Sequence, residues 1–360
     1  MNILFLSAKK RWAGIITWNI SLARKFKERD HNCLLVSAKN SALTKNAPED
    51  VELIPLKFGF NFNPLTFLRL IRIIKKNNID IIVTNIKREV VYGGIAGRIC
   101  KIPVVRLIGN EKDFDSGRLY EKKLVDIDIF PCEYTRKLAV EKFAWLTFEK
   151  TKVVHSGKTI SAFSKNRMEN IRNSWGASSS DIVIGASDRL SKEKGIHILI
   201  EAFCGLCENY KNIRLVITGT GKYENDLKDL VRIKGIGGRV HFAGFTKEVM
   251  LSASGYDIAV LASFFESFPN TVVEYMASNT AVICTDVGGV SEIVKDGYNG
   301  FLIPHNEAGI LSERLRNLIE DPDLRKNFAS RALETVRTEF TEDVMAEKTL
   351  KIFEELKVYK

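Results

Sequence analysis

Asp257-Ile-Ala-Val-Leu-Ala-Ser263, then Phe264-Phe265, then Glu266-Ser-Phe-Pro-Asn-Thr-Val-Val-Glu274 is the stretch whose reading decides this chain. The first run is continuously apolar, as in a strand buried on both faces. Ser267, Pro269 and Asn270 are residue types that start helices, and Thr271 and Val272 follow as the first helical residues. The order is therefore strand, sharp loop, helix N-terminus. That helix end carries free N–H groups and partial positive charge, which suits a phosphate. Carboxylates at Glu266 and Glu274, flanking such a site, can accept hydrogen bonds from polyhydroxyl groups. The segment points to a ligand joining phosphate to sugar, such as a nucleotide-activated sugar.

Outward from this stretch, strands and helices alternate along the whole chain. In the second half strand-like runs fall at 182–186, 214–218, 240–243, 257–262 and 281–285, with helical runs at 196–208, 223–233, 271–278, near 291–295, 311–320 and beyond Pro322. The first half reads the same way, with strands at 3–7, 33–37, 51–56, 79–84, 103–108, 128–131 and 152–155, and helices including 18–28, 64–76 and 134–145. The expected fold class is α/β, two facing doubly wound Rossmann-like domains with a ligand cleft between their strand C-terminal edges. The polar stretch 161–180 reads as the interdomain linker, dividing residues 1–165 from 166–340.

With 360 residues and 45% hydrophobic content, the chain is ample for two globular cores. No apolar run approaches the roughly 18 residues of a membrane span. The opening run is short, and Lys9, Lys10 and Arg11 follow it instead of preceding it, so a first strand and a cytoplasmic protein are expected. The six cysteines are scattered; Cys204 and Cys207 read as helix packing, and the five histidines lack ligand spacing, so no metal site and no cofactor are expected. Residues 1–175 carry 32 Lys and Arg against 17 Asp and Glu, whereas residues 176–360 carry 22 against 27. A basic half attracts phosphate-bearing ligands, anionic membranes or nucleic acid. No nucleic-acid-binding module is present, so nucleic acid is not an expected partner. Phe58-Gly-Phe-Asn-Phe62 and the following helix with Arg69, Arg72, Lys75 and Lys76 would suit peripheral docking on an anionic membrane surface; an ordinary sheet-covering amphipathic helix reads the same way.

Other loops at strand ends carry chemistry. Arg189 and Lys194, with Gly195, follow the first strand of the second half, where a doubly wound sheet binds phosphate; a planar fork and a point charge suit a diphosphate. Gly219-Thr-Gly221 and Gly244-Phe245 close the next two strands, and Gly244 would let a flat base approach the backbone. Asp286-Val-Gly-Gly289 with Glu292, and Asp296-Gly297, are turns with equally good structural readings. In the first half, Gly14 opens a helix that faces the cleft.

Taken in order, these elements resemble the retaining glycosyltransferases of family 4, which have the GT-B fold. The likeness runs over most of 182–340 and takes in Arg189…Lys194-Gly195, Gly219/Gly221, Phe242-Ala-Gly244, the Glu266…Glu274 pair enclosing Phe268-Pro269, Glu274-Tyr-Met-Ala277, Asp286-Val-Gly-Gly289…Glu292 and Asp296-Gly297…Asn299-Gly300. It implies a metal-independent hexosyltransferase that moves a sugar from a nucleoside-diphosphate sugar, UDP- or GDP-linked, to a hydroxyl of a lipid-linked or glycan acceptor in polysaccharide, lipopolysaccharide or glycolipid synthesis. It further implies an acceptor-binding domain at 1–165, a donor-binding domain at 166–340, and a terminal helix at 341–360 that crosses back to the first domain. By position, Arg189 and Lys194 would hold the diphosphate, Glu274 the ribose and Glu266 the transferred sugar. The backbone of Phe268, Pro269, Asn270, Thr271 and Val272 would meet sugar and phosphate oxygens, and Gly244 and Phe245 the base.

The chain also departs from the family. Ala13-Gly14 replaces a Gly-Gly pair, and Asn279 and Ala281 stand where Gly and Pro are common. No His follows the fifth strand, in Val105-Arg106-Leu-Ile-Gly-Asn-Glu111, which leaves Arg106, Glu111 and Asp113 as acceptor-side candidates. A phosphorylase or an epimerase does not account for the ordered set, and the first strand lacks the Gly-x-Gly-x-x-Gly of a nicotinamide enzyme. A non-catalytic sugar-nucleotide-binding subunit or sensor of the same fold is the alternative reading.

Overall fold

The computed structural model describes residues 1–10, 14–46, 48–58, 63–109 and 121–358. Glu111, Asp113 and the aromatic stretch 59–62 lie outside the described residues. The chain forms two compact units, Met1–Gly157 with Glu342–Lys360, and Lys158–Thr341.

The first unit is built on seven strands: β1 (Asn2–Ser7), β2 (Asn32–Ala38), β3 (Glu52–Leu56), β4 (Ile81–Thr84), β5 (Val104–Leu107), β6 (Ile127–Phe130) and β7 (Thr151–Val153). They pair in parallel in the order β3-β2-β1-β4-β5-β6-β7. Continuous apolar strands follow from this topology, because helices cover both faces. In β1, Ile3 and Phe5 enter one hydrophobic cluster, and Leu4 and Leu6 enter the other. The helix Glu342–Val358 packs on the helix Gly14–Lys27 through the Phe26 and Phe353 rings, whose centroids are 5.8 Å apart, and through Lys25 on Asp343 at 3.3 Å, with Arg29 just beyond the helix on Asp343 at 2.8 Å.

Three buried ionisable residues, Glu89, Arg106 and Asp128, organise this unit. Glu89 accepts the backbone N–H groups of Asn85 at 2.7 Å and Ile86 at 3.1 Å, and also that of Ala8, so it ties the end of β4 to the end of β1. Burial raises its carboxyl to about 7 despite these donors. Arg106, expected on the acceptor side, is instead 1% exposed, and its Nε donates to Asp128 Oδ1 at 2.6 Å. Arg106 and Asp128 are register partners on β5 and β6, so the guanidinium is paired within the sheet.

The second unit is built on β8 (Ile182–Ser187), β9 (Ile213–Thr218), β10 (Val240–Gly244), β11 (Ile258–Leu261), β12 (Ala281–Thr285) and β13 (Phe301–Ile303), all parallel in the order β10-β9-β8-β11-β12-β13. The strand order reverses between β8 and β11, and ligands of such sheets bind outside the strand C-termini at that point.

The segment expected to be a linker is different. Residues 165–174 form the helix Lys165–Ser174, capped by Ser164. None of its residues is fully buried, and Met168, Ile171 and Arg172 make up its half-buried face. Arg172 anchors it on Asp257 at 2.9 Å, and Trp175 packs on Tyr256 at 5.4 Å. The unit begins earlier than the expected 165/166 division because Lys158 N–H donates to Phe340 O at 2.8 Å and bridges Thr341. None of the described helices is long and apolar enough to cross a membrane.

Candidate active site

The parallel pairing of β8 and β11 sets the loops that follow them side by side at the sheet edge. The two loops meet backbone to backbone. A Cβ on Gly195 would stand 1.9 Å from Ala262 O, and Phe264 N–H donates to Glu193 O at 2.9 Å. Lys194, from the first loop, then reaches the second: its Nζ lies 2.6 Å from Glu266 Oε1 and 2.9 Å from Asp188 Oδ2. Burial opposes the Lys194 ammonium, but the two carboxylates outweigh it and hold the pKa above the ordinary lysine value. For Asp188 burial wins over Lys194, and the carboxyl sits above its usual range. Asp188 was not among the expected site residues, although it precedes Arg189 in the same polar loop.

Glu266 is held from below as well. Gly288 has φ +59°, and a Cβ there would fall 1.6 Å from Glu266 O. Gly289 N–H donates to Ser267 O at 3.1 Å. The turn at 286–289 is thus the support of the Glu266 loop.

The helix Asn270–Ala277 follows. Tyr275 locks it to the end of β8, with Ser187 N–H donating to its phenolic oxygen at 2.5 Å. Burial pushes that phenol well above its ordinary pKa. Asn270 Oδ1 is buried with no hydrogen-bond partner among the described residues. Phe268, Pro269 and Val272 are buried, and the Val272 N–H donates to Pro269 O at 3.0 Å in the first turn of the helix.

A hollow of about 480 Å³ opens beside this helix end, lined by Arg189, Thr218, Gly219, Phe245, Thr246 and Thr271 among others. That volume is ordinary for a small-molecule site. Arg189 is exposed and, among the described residues, forms an ion pair with Glu193 at 3.0 Å. The Phe245 ring is 70% exposed, and no described residue lies within 4 Å of a Cβ placed on Gly244, so the backbone there is approachable. Glu274 opens to a neighbouring hollow of about 330 Å³, which shares Val249 with the first. Its Oε1 meets Lys158 Nζ at 2.6 Å, a partner that the sequence reading did not pick out. Gly14 lies in the other unit, as the first residue of its helix.

Residues 167–335 match the family model described as glycosyl transferases group 1, and residues 2–109 match the one described as glycosyl transferase 4-like. An α-1,3-N-acetylgalactosaminyltransferase of Campylobacter jejuni, named for N,N'-diacetylbacillosaminyl-diphospho-undecaprenol, is 23% identical over 98% of both chains. The lipopolysaccharide core biosynthesis glycosyltransferase LpsE of Rhizobium meliloti is 28% identical over 47% of this chain, and an α-D-kanosaminyltransferase of Streptomyces kanamyceticus is 26% identical over 53%. In both of the latter the match spans about half of the relative's own length. Among solved structures, Anabaena HepE in complex with UDP superposes with TM-score 0.85 at 22% identity, covering 99% of this chain and all of that one. WaaG, a glycosyltransferase of lipopolysaccharide biosynthesis, superposes with TM-score 0.71 at 18% identity, covering 97% of this chain and 99% of that one. On these matches and on its two doubly wound parallel sheets, the chain belongs to the family 4 glycosyltransferases of the GT-B fold.

Proposed function

We propose that this protein transfers a sugar from a nucleoside diphosphate to an acceptor hydroxyl with retention of anomeric configuration. The observation that carries the reading is Lys194, set between Asp188 and Glu266 beside a hollow lined by Arg189 and Thr271. An ammonium has three N–H donors. Two of those on Lys194 face carboxylates, and the third is left for a phosphate oxygen. Arg189 adds a planar fork whose pairing with Glu193 is exposed to solvent and therefore weak, so a phosphate readily displaces it. The main chain at 270–272 supplies the positive end of a helix.

The difficult part of the reaction is charge. The bond from the sugar's anomeric carbon to the diphosphate oxygen breaks, and the bond from that carbon to the acceptor oxygen forms on the same face. The acceptor proton passes to the departing phosphate. Fixed donors aimed at the leaving diphosphate are worth about 3–4 kcal/mol each. In this scheme Lys194 and Arg189 supply them without a resident metal, Glu266 accepts from the transferred sugar, and Glu274 accepts from the ribose. Phe245 and the open backbone at Gly244 meet the base. The HepE complexes with UDP and with UDP-glucose support uridine-linked donors ahead of guanosine-linked ones. The lipid-diphosphate named for the Campylobacter relative supports a lipid-linked or glycan acceptor.

Arg189→Ala is expected to lower kcat/KM for the donor about 100-fold. It should leave the melting temperature nearly unchanged, because the Arg189–Glu193 pair is exposed. Steady-state transfer assays with UDP- and GDP-sugars check this, and wild-type turnover in the variant would remove the phosphate role.

We further propose that the basic first unit works at an anionic membrane surface. On the helix Pro64–Lys76, Leu65 and Leu68 are exposed on the face that also carries Arg69, Arg72, Lys75 and Lys76, and the helix has no acidic residue. Sedimentation with phosphatidylglycerol vesicles is expected to pull down the wild-type chain, and Leu65→Ser with Leu68→Ser to weaken this several-fold. Equal binding to neutral vesicles would refute it.

A further inference from the structure

Lys158, like Asp188, is a polar side chain at this site outside the expected set, and it is held through both its backbone and its ammonium. It opens the second unit, and its backbone bridges Thr341, where the chain leaves that unit. Its N–H donates to Phe340 O at 2.8 Å, and the Phe340 ring packs on Phe268 with centroids 6.1 Å apart. Phe268 belongs to the same 266–274 segment whose second carboxylate the Lys158 ammonium meets at 2.6 Å. The backbone and the side chain of Lys158 are therefore both referred to one loop and helix. The two side chains of the pair are each about one-fifth exposed.

We infer that Lys158 is a positioning residue that aims Glu274 at a vicinal diol, and so sets how strongly the site prefers a ribose to a 2′-deoxyribose. The inference rests on the reading of Glu274 as the ribose acceptor. A carboxylate offers about four lone-pair directions, and a cis-diol needs two of them. Lys158 takes one direction on Oε1 and leaves the remainder of Oε1 and all of Oε2. Glutamate has three rotatable side-chain bonds. Fixing the carboxylate against a cation whose own backbone is pinned removes that freedom before the ligand arrives. The carboxylate also lines the hollow that includes Ser161, Phe163 and Val249, so a diol entering there meets an acceptor already turned toward it. A site built to accept two hydroxyls rejects the analogue that lacks one of them, and does so more strongly when the acceptor cannot swing away.

Calorimetric titration of the full chain with UDP, 2′-deoxy-UDP, GDP and 2′-deoxy-GDP tests this. In the wild-type protein the preferred ribonucleotide is expected to bind at least tenfold more tightly than its 2′-deoxy counterpart. In Lys158→Met that ratio should fall to twofold or less, through loss of ribonucleotide affinity, and Lys158→Arg should restore most of it. Glu274→Gln serves as the reference for the ribose contact. If Lys158→Met keeps the wild-type ratio while Glu274→Gln loses it, the Lys158 inference is wrong and the ribose reading stands. If Lys158→Met weakens both nucleotides equally, Lys158 is structural and the inference is again wrong. If Glu274→Gln also keeps the ratio, or if no nucleotide binds, the ribose reading itself fails.

Discussion

Replacing Lys194 by methionine is expected to lower sugar transfer about 10²–10³-fold and to cost about 3 kcal/mol of stability. The two effects share one cause. Methionine fills the lysine's volume but leaves Asp188 and Glu266 facing each other in a half-buried loop without the cation that stood 2.9 Å and 2.6 Å from them. The diphosphate would then enter a site of net negative charge. The pH dependence follows from the direction of the shifts. Lys194 has a folded pKa above its unfolded value, so its contribution is complete at neutral pH and is lost only as pH rises through that raised value, beyond the ordinary lysine range. Asp188 already sits above its usual range through burial, and loss of the lysine moves it further up, so protonation relieves the variant at mildly acidic pH. Chemical denaturation of both proteins from pH 4.5 to 9 should show a gap that is widest near neutrality and narrows toward acid. A gap of under about 0.5 kcal/mol at pH 7, with wild-type turnover, would mean that Lys194 is a surface lysine of no consequence.

Gly288→Ala should be nearly as damaging although it removes no polar atom. At φ +59° a Cβ costs about 1 kcal/mol by itself, and here it would also fall 1.6 Å from the carbonyl oxygen of Glu266. Main chain cannot yield as a side-chain tip can, so the Glu266 loop must move by an ångström or more. A misplacement of that size costs about 100-fold in rate. Gly297→Ala is the control: its φ is +70°, but nothing lies within 4 Å of the added Cβ. It should lose about 1 kcal/mol and keep its activity. Equal activity losses in the two variants would show that backbone strain, and not displacement of Glu266, is responsible.

Much of this arrangement is legible in the sequence, because a doubly wound sheet has strong local signals. Continuous apolar runs mark strands with two covered faces, and loops at their C-terminal ends collect the polar residues. Lys194 and Glu266 are 72 positions apart, and only the adjacency of β8 and β11 joins them. That adjacency follows from the alternation once the strand order is doubly wound. The misreadings have physical reasons too. The helix Lys165–Ser174 is mostly polar, and Met168 and Ile171 are the apolar residues of its half-buried face, so its periodicity is weak; Arg172 and Trp175 fix it from its end. Arg106 looked available for an acceptor, yet it sits within an apolar strand, and Asp128 interrupts the next one in the same manner. Opposite charges at such positions on neighbouring buried strands are the readable sign of an internal pair. Lys158 left a weaker trace, because its partner Glu274 is 116 positions away, whereas Asp188 pairs with Lys194 inside one polar loop.

The central claim is that the 188–194 loop and the 266–274 segment form one sugar–diphosphate site. A crystal structure of the protein soaked with UDP-glucose and GDP-mannose measures this directly. The account predicts a diphosphate within hydrogen-bond distance of Arg189, the Lys194 ammonium and the main chain at 270–272, with the ribose on Glu274. A nucleotide bound elsewhere on the chain, with the hollow beside Thr271 left empty, would contradict it.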